Sequence, residues 1–237
     1  MTRALLTLLF TITFVISPAL TSPFSGFEAD QLPIPQIDPP IQPAGYAFSI
    51  WGLIYGWLVV SAVFGVWKRA TDPAWDIMRA PLIVSLALGT PWLWVANQTA
   101  IGATVLIIAM AVPAVIAMLR APAHDAGWAR WPVSIYAGWL TAASCVSVGS
   151  TMAGYGVLFD QTGWAYAGIA LALAIALPVQ WIKPNAPGYG LTVIWASVGI
   201  IVANGMTLVS AEAAIGIVLI GALLAYQTRN DTRPVAS

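Results

Sequence analysis

PAGYAFSIWGLIYGW, residues 43–57, carries no charged side chain and places Phe48, Trp51 and Tyr55 three and four positions apart. At the α-helical period those three rings share one face, and Trp57 points elsewhere. The uncharged run continues to Trp67, long enough to cross a hydrocarbon core, which takes about 20 apolar residues. Outward from this stretch the chain keeps the same character. Of its 237 residues, 59% are hydrophobic, twelve are Trp and only 8% are charged, against about 25% in ordinary soluble domains. The mean hydropathy is +0.84. Lipid offers no partner for backbone N–H and C=O groups, so apolar segments of this length must satisfy them internally as helices. The composition predicts an all-α, polytopic integral membrane bundle.

Reading from charge to charge predicts eight spans, at about 4–21, 44–67, 80–98, 101–119, 132–154, 163–182, 188–209 and 211–227. None holds an Asp, Glu, Lys, Arg or His in its interior, which argues against a proton relay, a charged ion path or paired carboxylates for acid–base work. The nine basic residues fix a topology. Arg3, Lys68, Arg69, Arg79, Arg120, Arg130, Lys183, Arg229 and Arg233 all fall on one side of an eight-span chain, whereas the alternate connections hold Glu28, Asp30, Asp38, Asp160 and Glu212. The positive-inside rule then makes both termini cytoplasmic. The first span, with one basic residue ahead of it and Pro18 near its end, also has features of a cleavable secretory signal; its length favours a retained helix.

The one long connection, SPFSGFEADQLPIPQIDPPIQP at 22–43, holds prolines at 33, 35, 39, 40 and 43 that bias it to extended backbone. It reads either as an ordered lid or as a solvated linker. Cys145 reads as a small packing residue and His124 as a surface residue, and there is no zinc-type Cys/His cluster, phosphate-cradling Gly loop or nucleophile–base–acid set. Basic residues are too few and scattered for nucleic-acid binding. Trp67, Trp75, Trp128, Trp131, Trp164 and Trp181 lie near span ends and read as interface or loop residues. In the fifth span Tyr136, Trp139, Ala143 and Ser147 repeat the helical spacing beside small residues from Thr141 to Ser144, and the third span places Trp92 after Gly89-Thr90-Pro91. Three helices thus carry a Trp toward a common cleft, as pocket walls or as packing. Gly190, Ser197 and Asn204, seven apart, form a small and polar face that reads as a packing seam, in which Asn204 must find a partner.

These stretches resemble the tryptophan-rich sensory protein/translocator protein (TspO/MBR) family. Pro43, Gly45, Phe48, Trp51 and Tyr55 match residues of its second-helix signature; LALGTPW, 86–92, is similar to the third-helix L-A-L-N-x-x-W, and IYAGWLTAASCVS, 135–147, to the fifth-helix P-Y-L-A-W-V-S-F-A-T-Y-L-N. Ala44, Tyr46, Gly89, Ile135 and Ser147 stand where the family has Pro, Trp, Asn, Pro and Asn. The resemblance covers about residues 1–155 and implies a five-helix unit there, with 156–237 as a three-helix C-terminal extension. It also implies a site for a porphyrin, another tetrapyrrole or a similar flat hydrophobic ligand, formed by Phe48, Trp51, Tyr55, Trp92, Tyr136, Trp139 and Ser147. Trp51 and Trp139 are then the candidate electron donors should light-dependent porphyrin breakdown occur; no catalytic or metal-binding residue is assigned. Transport of a neutral or hydrophobic solute is the competing expectation. The default location is a bacterial cytoplasmic membrane, and a homodimer is left open.

Overall fold

The computed structural model describes residues 1–22, 24, 26–28 and 31–231; Asp30 and Arg233 of the charge argument lie outside the described residues. Among the described residues the regular structure is helical: α1 (Thr2–Ile16), α2 (Ile50–Lys68), α3 (Pro73–Gly89), α4 (Trp92–Ala96), α5 (Ala100–Leu119), α6 (Arg130–Gly154), α7 (Gln161–Ile182), α8 (Pro187–Asn204) and α9 (Leu208–Asp231), with 3-10 turns at Ser17–Leu20 and Gly45–Ser49. Seven of the helical segments are long and apolar enough to cross a membrane. They coincide with seven of the eight expected spans.

The eighth, expected at 80–98, is broken into α3 and the short α4. Pro91 has no N–H to continue α3, and the Thr90 carbonyl at the break finds another donor. Thr90 bonds back to the Leu86 carbonyl through its N–H (3.0 Å) and its hydroxyl (3.1 Å), and Ser17 Oγ donates to the Thr90 carbonyl (2.7 Å). Pro81, Pro113 and Pro178 sit inside helices that continue through them. Helix starts follow ordinary capping: the Asp72 carboxylate accepts from Ala74 N at 2.9 Å ahead of Pro73, and Asp160 from Gly163 N at 2.7 Å.

Helix α6 is the axis of the bundle, buried along most of its length, with α5, α7, α8 and α2 packed around it. Its small residues permit that crowding. A Cβ on Gly138 would lie 2.5 Å from the Tyr189 carbonyl of α8, and one on Gly149 would strike Ile41.

Two cations close helix ends at the face expected to be cytoplasmic. Arg79, which falls inside α3 rather than in the preceding connection, reaches back to the end of α2, and Lys183 Nζ donates to the Leu119 and Ala121 carbonyls at 2.9 and 3.1 Å. Trp75, expected at an interface, is instead 2% exposed and donates from Nε1 to Asp125 at 3.2 Å. Asp125 also accepts from Arg69 Nε (2.6 Å) and Nη2 (3.1 Å), tying the α2–α3 corner to the α5–α6 loop. The Arg69 hydrogen bond holds the Asp125 carboxyl below the usual carboxylate range. A depressed folded-state pKa adds stability above the unfolded value of about 3.9, and this stability is lost as pH falls through the folded value. Asp125 has φ +56°, a region that Asn also tolerates, so Asp125→Asn isolates the charge. In melting experiments from pH 6 downward the variant should melt lower than wild type near neutrality, with the gap closing below about pH 4. A gap independent of pH would show that the ion pair is not what holds this corner.

Candidate functional site

The connection 22–43, where described, packs as an ordered strap over one end of the bundle. Gln31 Nε2 donates to the Ala96 carbonyl (2.9 Å), Ile34 N to Gly154 O (2.8 Å), Asn204 Nδ2 to Pro40 O (2.8 Å) and Ala44 N to Gly199 O (3.0 Å). Leu32 and Ile41 are buried plugs, Leu32 against Gly154 and Ile41 against Gly149 and Gly168. Asn204 therefore finds its partner in the strap, at the end of α8 rather than deep in the span.

Beneath the strap lies a cavity of about 200 Å³. Phe48, Trp51, Tyr55, Trp92, Trp139 and Ser147 all line it. The second, third and fifth expected spans thus bring six of the seven predicted site residues together. Trp51 stacks on Tyr55 (centroids 5.2 Å, interplanar 22°) and meets Trp139 edge-on (6.1 Å, 83°), which in turn meets Phe48 edge-on (5.8 Å, 82°). These are the arrangements that ring quadrupoles favour, so the aromatic wall is preorganised. Tyr136 does not reach the cavity. One helical turn before Trp139 but rotated off its face, it is fully buried, with its hydroxyl 2.8 Å from Ser85 Oγ.

Several lining residues escape a reading by spacing. Phe14 of α1 touches Trp51 and Tyr55 edge-on at 5.9 and 5.3 Å, and Phe24 of the strap touches Trp92 at 5.2 Å. Gly89, which stands where the family motif has Asn, abuts the Phe14 ring, where a Cβ would come within 2.7 Å. Helix α8 adds Ala196 to the lining, and Trp195 Nε1 donates to the Ala47 carbonyl at 2.9 Å, holding the turn that carries Phe48. A Trp in mid-span rather than at an interface is a signal for such a contact, because its N–H needs an internal acceptor.

The lining is apolar apart from a few neutral groups, and it includes no Asp, Glu, Lys, Arg or His. Ser147 Oγ is engaged by Thr104 Oγ1 at 2.6 Å, and Thr104 also meets Thr151 Oγ1 at 2.8 Å. Trp92 Nε1 donates to Ala103 O at 3.0 Å, whereas Trp139 Nε1 is buried with no acceptor among the described residues. Such a lining offers dispersion, stacking and isolated hydrogen bonds, and it provides no acid–base pair for proton transfer. Nor is there a group of three or more His, Cys, Asp or Glu among the described residues that could hold a metal ion.

A family model described as TSPO-like protein matches residues 3–226. The match extends through α7, α8 and most of α9, beyond the 1–155 over which the motifs are legible. No curated protein and no solved structure matches.

Proposed function

Because the chain belongs to the TSPO-like protein family, we propose that it is a membrane binding protein that takes a flat, apolar ligand into the cavity under the strap and serves a sensory or regulatory role. The observation that carries this reading is the convergence of Phe48, Trp51, Tyr55, Trp92 and Trp139 on one uncharged cavity. Large aromatic faces give a flat ligand dispersion and offset stacking that aliphatic walls do not. Residues 1–155 supply nearly all of this wall, and 156–237 brace it through α8. The cavity volume is below the roughly 300–1,000 Å³ usual for ligand sites, so a tetrapyrrole would not be swallowed whole. It would insert one edge among the Trp rings and keep its carboxylates at the mouth, near Ser22 and Gln42. On the positive-inside rule we read both termini as cytoplasmic and the strap as facing the other side, in a bacterial inner membrane.

The test is quenching of tryptophan fluorescence by protoporphyrin IX in purified protein, wild type beside Trp51→Phe and Trp139→Phe. Saturable quenching should weaken roughly threefold to tenfold in each variant, the loss expected when a stacked indole is replaced by a smaller ring. Linear quenching of equal slope in all three proteins means partition into detergent and sinks the reading.

A further inference from the structure

Charge is unevenly shared across the face read as cytoplasmic. The ion pairs Arg3–Asp76, Arg69–Asp125, His124–Asp72 and Arg79–Asp76 all sit around α1, α2, α3 and the α5–α6 loop. The other half of that face carries Arg120, Arg130, Lys183 and Arg229. Beyond Asp125 the sequence supplies this half with one carboxylate, Asp231, because Asp160 and Glu212 stand at the opposite ends of α7 and α9.

Lys183 is the centre of this basic half. It follows the end of α7 and is partly buried. Its Nζ donates to the Leu119 and Ala121 carbonyls at 2.9 and 3.1 Å, one on either side of Arg120. An ammonium has three N–H donors. Among the described residues the third meets no acceptor, and no carboxylate lies within ion-pair distance of Lys183. Burial and then the charge of nearby Arg130 hold the ammonium below the usual lysine range. An anion at the open donor would relieve both effects.

The flank of this corner is rigid and apolar. Gln180 Nε2 donates to Gln227 Oε1 at 3.0 Å, and Gln227 Nε2 to the Gln180 carbonyl at 2.9 Å, which fixes the end of α7 against α9. On the outside Trp181 stacks on Tyr226 (centroids 6.0 Å, interplanar 8°), and both rings are more than half exposed. Arg229 follows Tyr226 by three residues and so shares its side of α9. Paired rings at the ends of two spans belong at the headgroup level of a bilayer.

We propose that this corner is a headgroup site for one anionic phospholipid, whose phosphate oxygens accept from the open Lys183 N–H beside Arg130 and Arg229 while its acyl chains descend along Trp181 and Tyr226. The apolar flank favours a lipid over free phosphate, which gains nothing from two exposed rings. The cytoplasmic leaflet is also where anionic lipids and basic pockets between helices meet. The site lies on the face away from the strap and stands apart from the cavity. A bound lipid there would join the ends of α5, α7 and α9.

The test is the melting temperature of detergent-purified protein, read by intrinsic fluorescence during titration with dioleoylphosphatidylglycerol, dioleoylphosphatidylcholine or inorganic phosphate. Phosphatidylglycerol should raise it saturably by about 5 °C, and the other two by no more than about 1 °C. Lys183→Gln should weaken the apparent phosphatidylglycerol affinity about tenfold and Arg229→Gln about fivefold. Lys68→Gln, an exposed cation on the other half of the face, should stay within about twofold of wild type. Should Lys183→Gln fail to fold, the exposed Arg229→Gln decides in its place. An equal rise with phosphatidylcholine, or none with phosphatidylglycerol, overturns the proposal. So does an equal loss in Lys68→Gln, which means diffuse attraction to charge, or wild-type affinity in Lys183→Gln. A rise reproduced by inorganic phosphate makes the occupant a soluble anion and overturns the lipid assignment. None of these outcomes bears on quenching by protoporphyrin IX.

Discussion

Arg79→Leu should lower stability by about 3–5 kcal/mol, the range found when one partner of a buried charged contact is removed. Arg79 is 1% exposed, and its Nη2 donates to the carbonyls of Gly65 (2.9 Å) and Arg69 (2.8 Å). Gly65 lies in the last turn of α2 and Arg69 just beyond its end, where no further N–H of the helix can serve their carbonyls. The guanidinium also sits 5.6 Å from the Trp75 ring and 4.0 Å from Asp76 Oδ1. Leucine fills much of the volume but takes the side-chain donor from the Gly65 carbonyl and leaves the Arg69 carbonyl with the Asp72 N–H (3.2 Å). For a chain of this size the loss corresponds to a fall in melting temperature on the order of 10 °C, readable by intrinsic fluorescence in detergent. Arg79→Lys should fall between, because an ammonium keeps the charge but lacks the planar fork whose Nη1 reaches the Ala70 carbonyl (3.4 Å) while Nη2 serves the other two and the guanidinium lies near the Trp75 ring. A Leu variant melting within about 2 °C of wild type would mean that water already serves the end of α2.

Arg79 also illustrates what the sequence could and could not convey. As a charge it reports topology, and the eight segments read from charge to charge reappear in the fold, seven of them as single helices. The positive-inside pattern depends only on which connection a charge is near, so it cannot reveal that this cation is folded back into the bundle as a cap. The broken third span was hidden for a related reason. Hydropathy weighs apolar length, and a proline within it ends a helix or not according to whether other elements accept the freed groups. Ser17 does so at Pro91 by donating to the Thr90 carbonyl; nothing local distinguishes that proline from Pro81 or Pro113. Glu212, expected in a connection, lies one turn inside α9.

The aromatic face was legible because Phe48, Trp51 and Tyr55 sit on a single helix, where three- and four-residue spacing has one geometric meaning. Spacing misplaced Tyr136, whose offset of three from Trp139 carries it about 60° around α6, enough to bury it against Ser85 of α3. Phe14 and Phe24 belong to elements whose approach is decided by tertiary packing, and no periodicity relates them to Trp51 or Trp92. The strap between lid and linker was undecidable from its prolines alone. What orders it is a set of acceptors and donors on α4, α6 and α8, together with glycines at 149, 154 and 168 that leave room for Ile41 and Leu32.

Gly138→Ala should be the most damaging single methyl that can be added to the bundle axis, and it should weaken ligand binding without touching a residue of the aromatic wall. The new Cβ would lie 2.5 Å from the Tyr189 carbonyl oxygen and 3.1 Å from Thr192 Cβ. The carbonyl is backbone and cannot rotate away, so α8 must shift as a unit. Overpacking usually costs about 1–3 kcal/mol, and a rigid neighbour argues for the upper end. The intrinsic gain of Ala over Gly in a helix, about 1 kcal/mol at most, offsets only part of this. A displaced α8 carries away Gly199 O, the acceptor for Ala44 N, together with Trp195, whose N–H holds the Ala47 carbonyl. The turn bearing Phe48 then loses its brace. Gly56→Ala is the matched control, since a Cβ there meets nothing within 4 Å, and it should leave both stability and binding at or slightly above wild type. A Gly138→Ala protein that melts low and binds weakly, beside an unaffected Gly56→Ala, would make α8 part of the binding unit. A Gly138→Ala protein that melts low yet binds as wild type would confine the binding unit to residues 1–155 and reduce the last three helices to a scaffold.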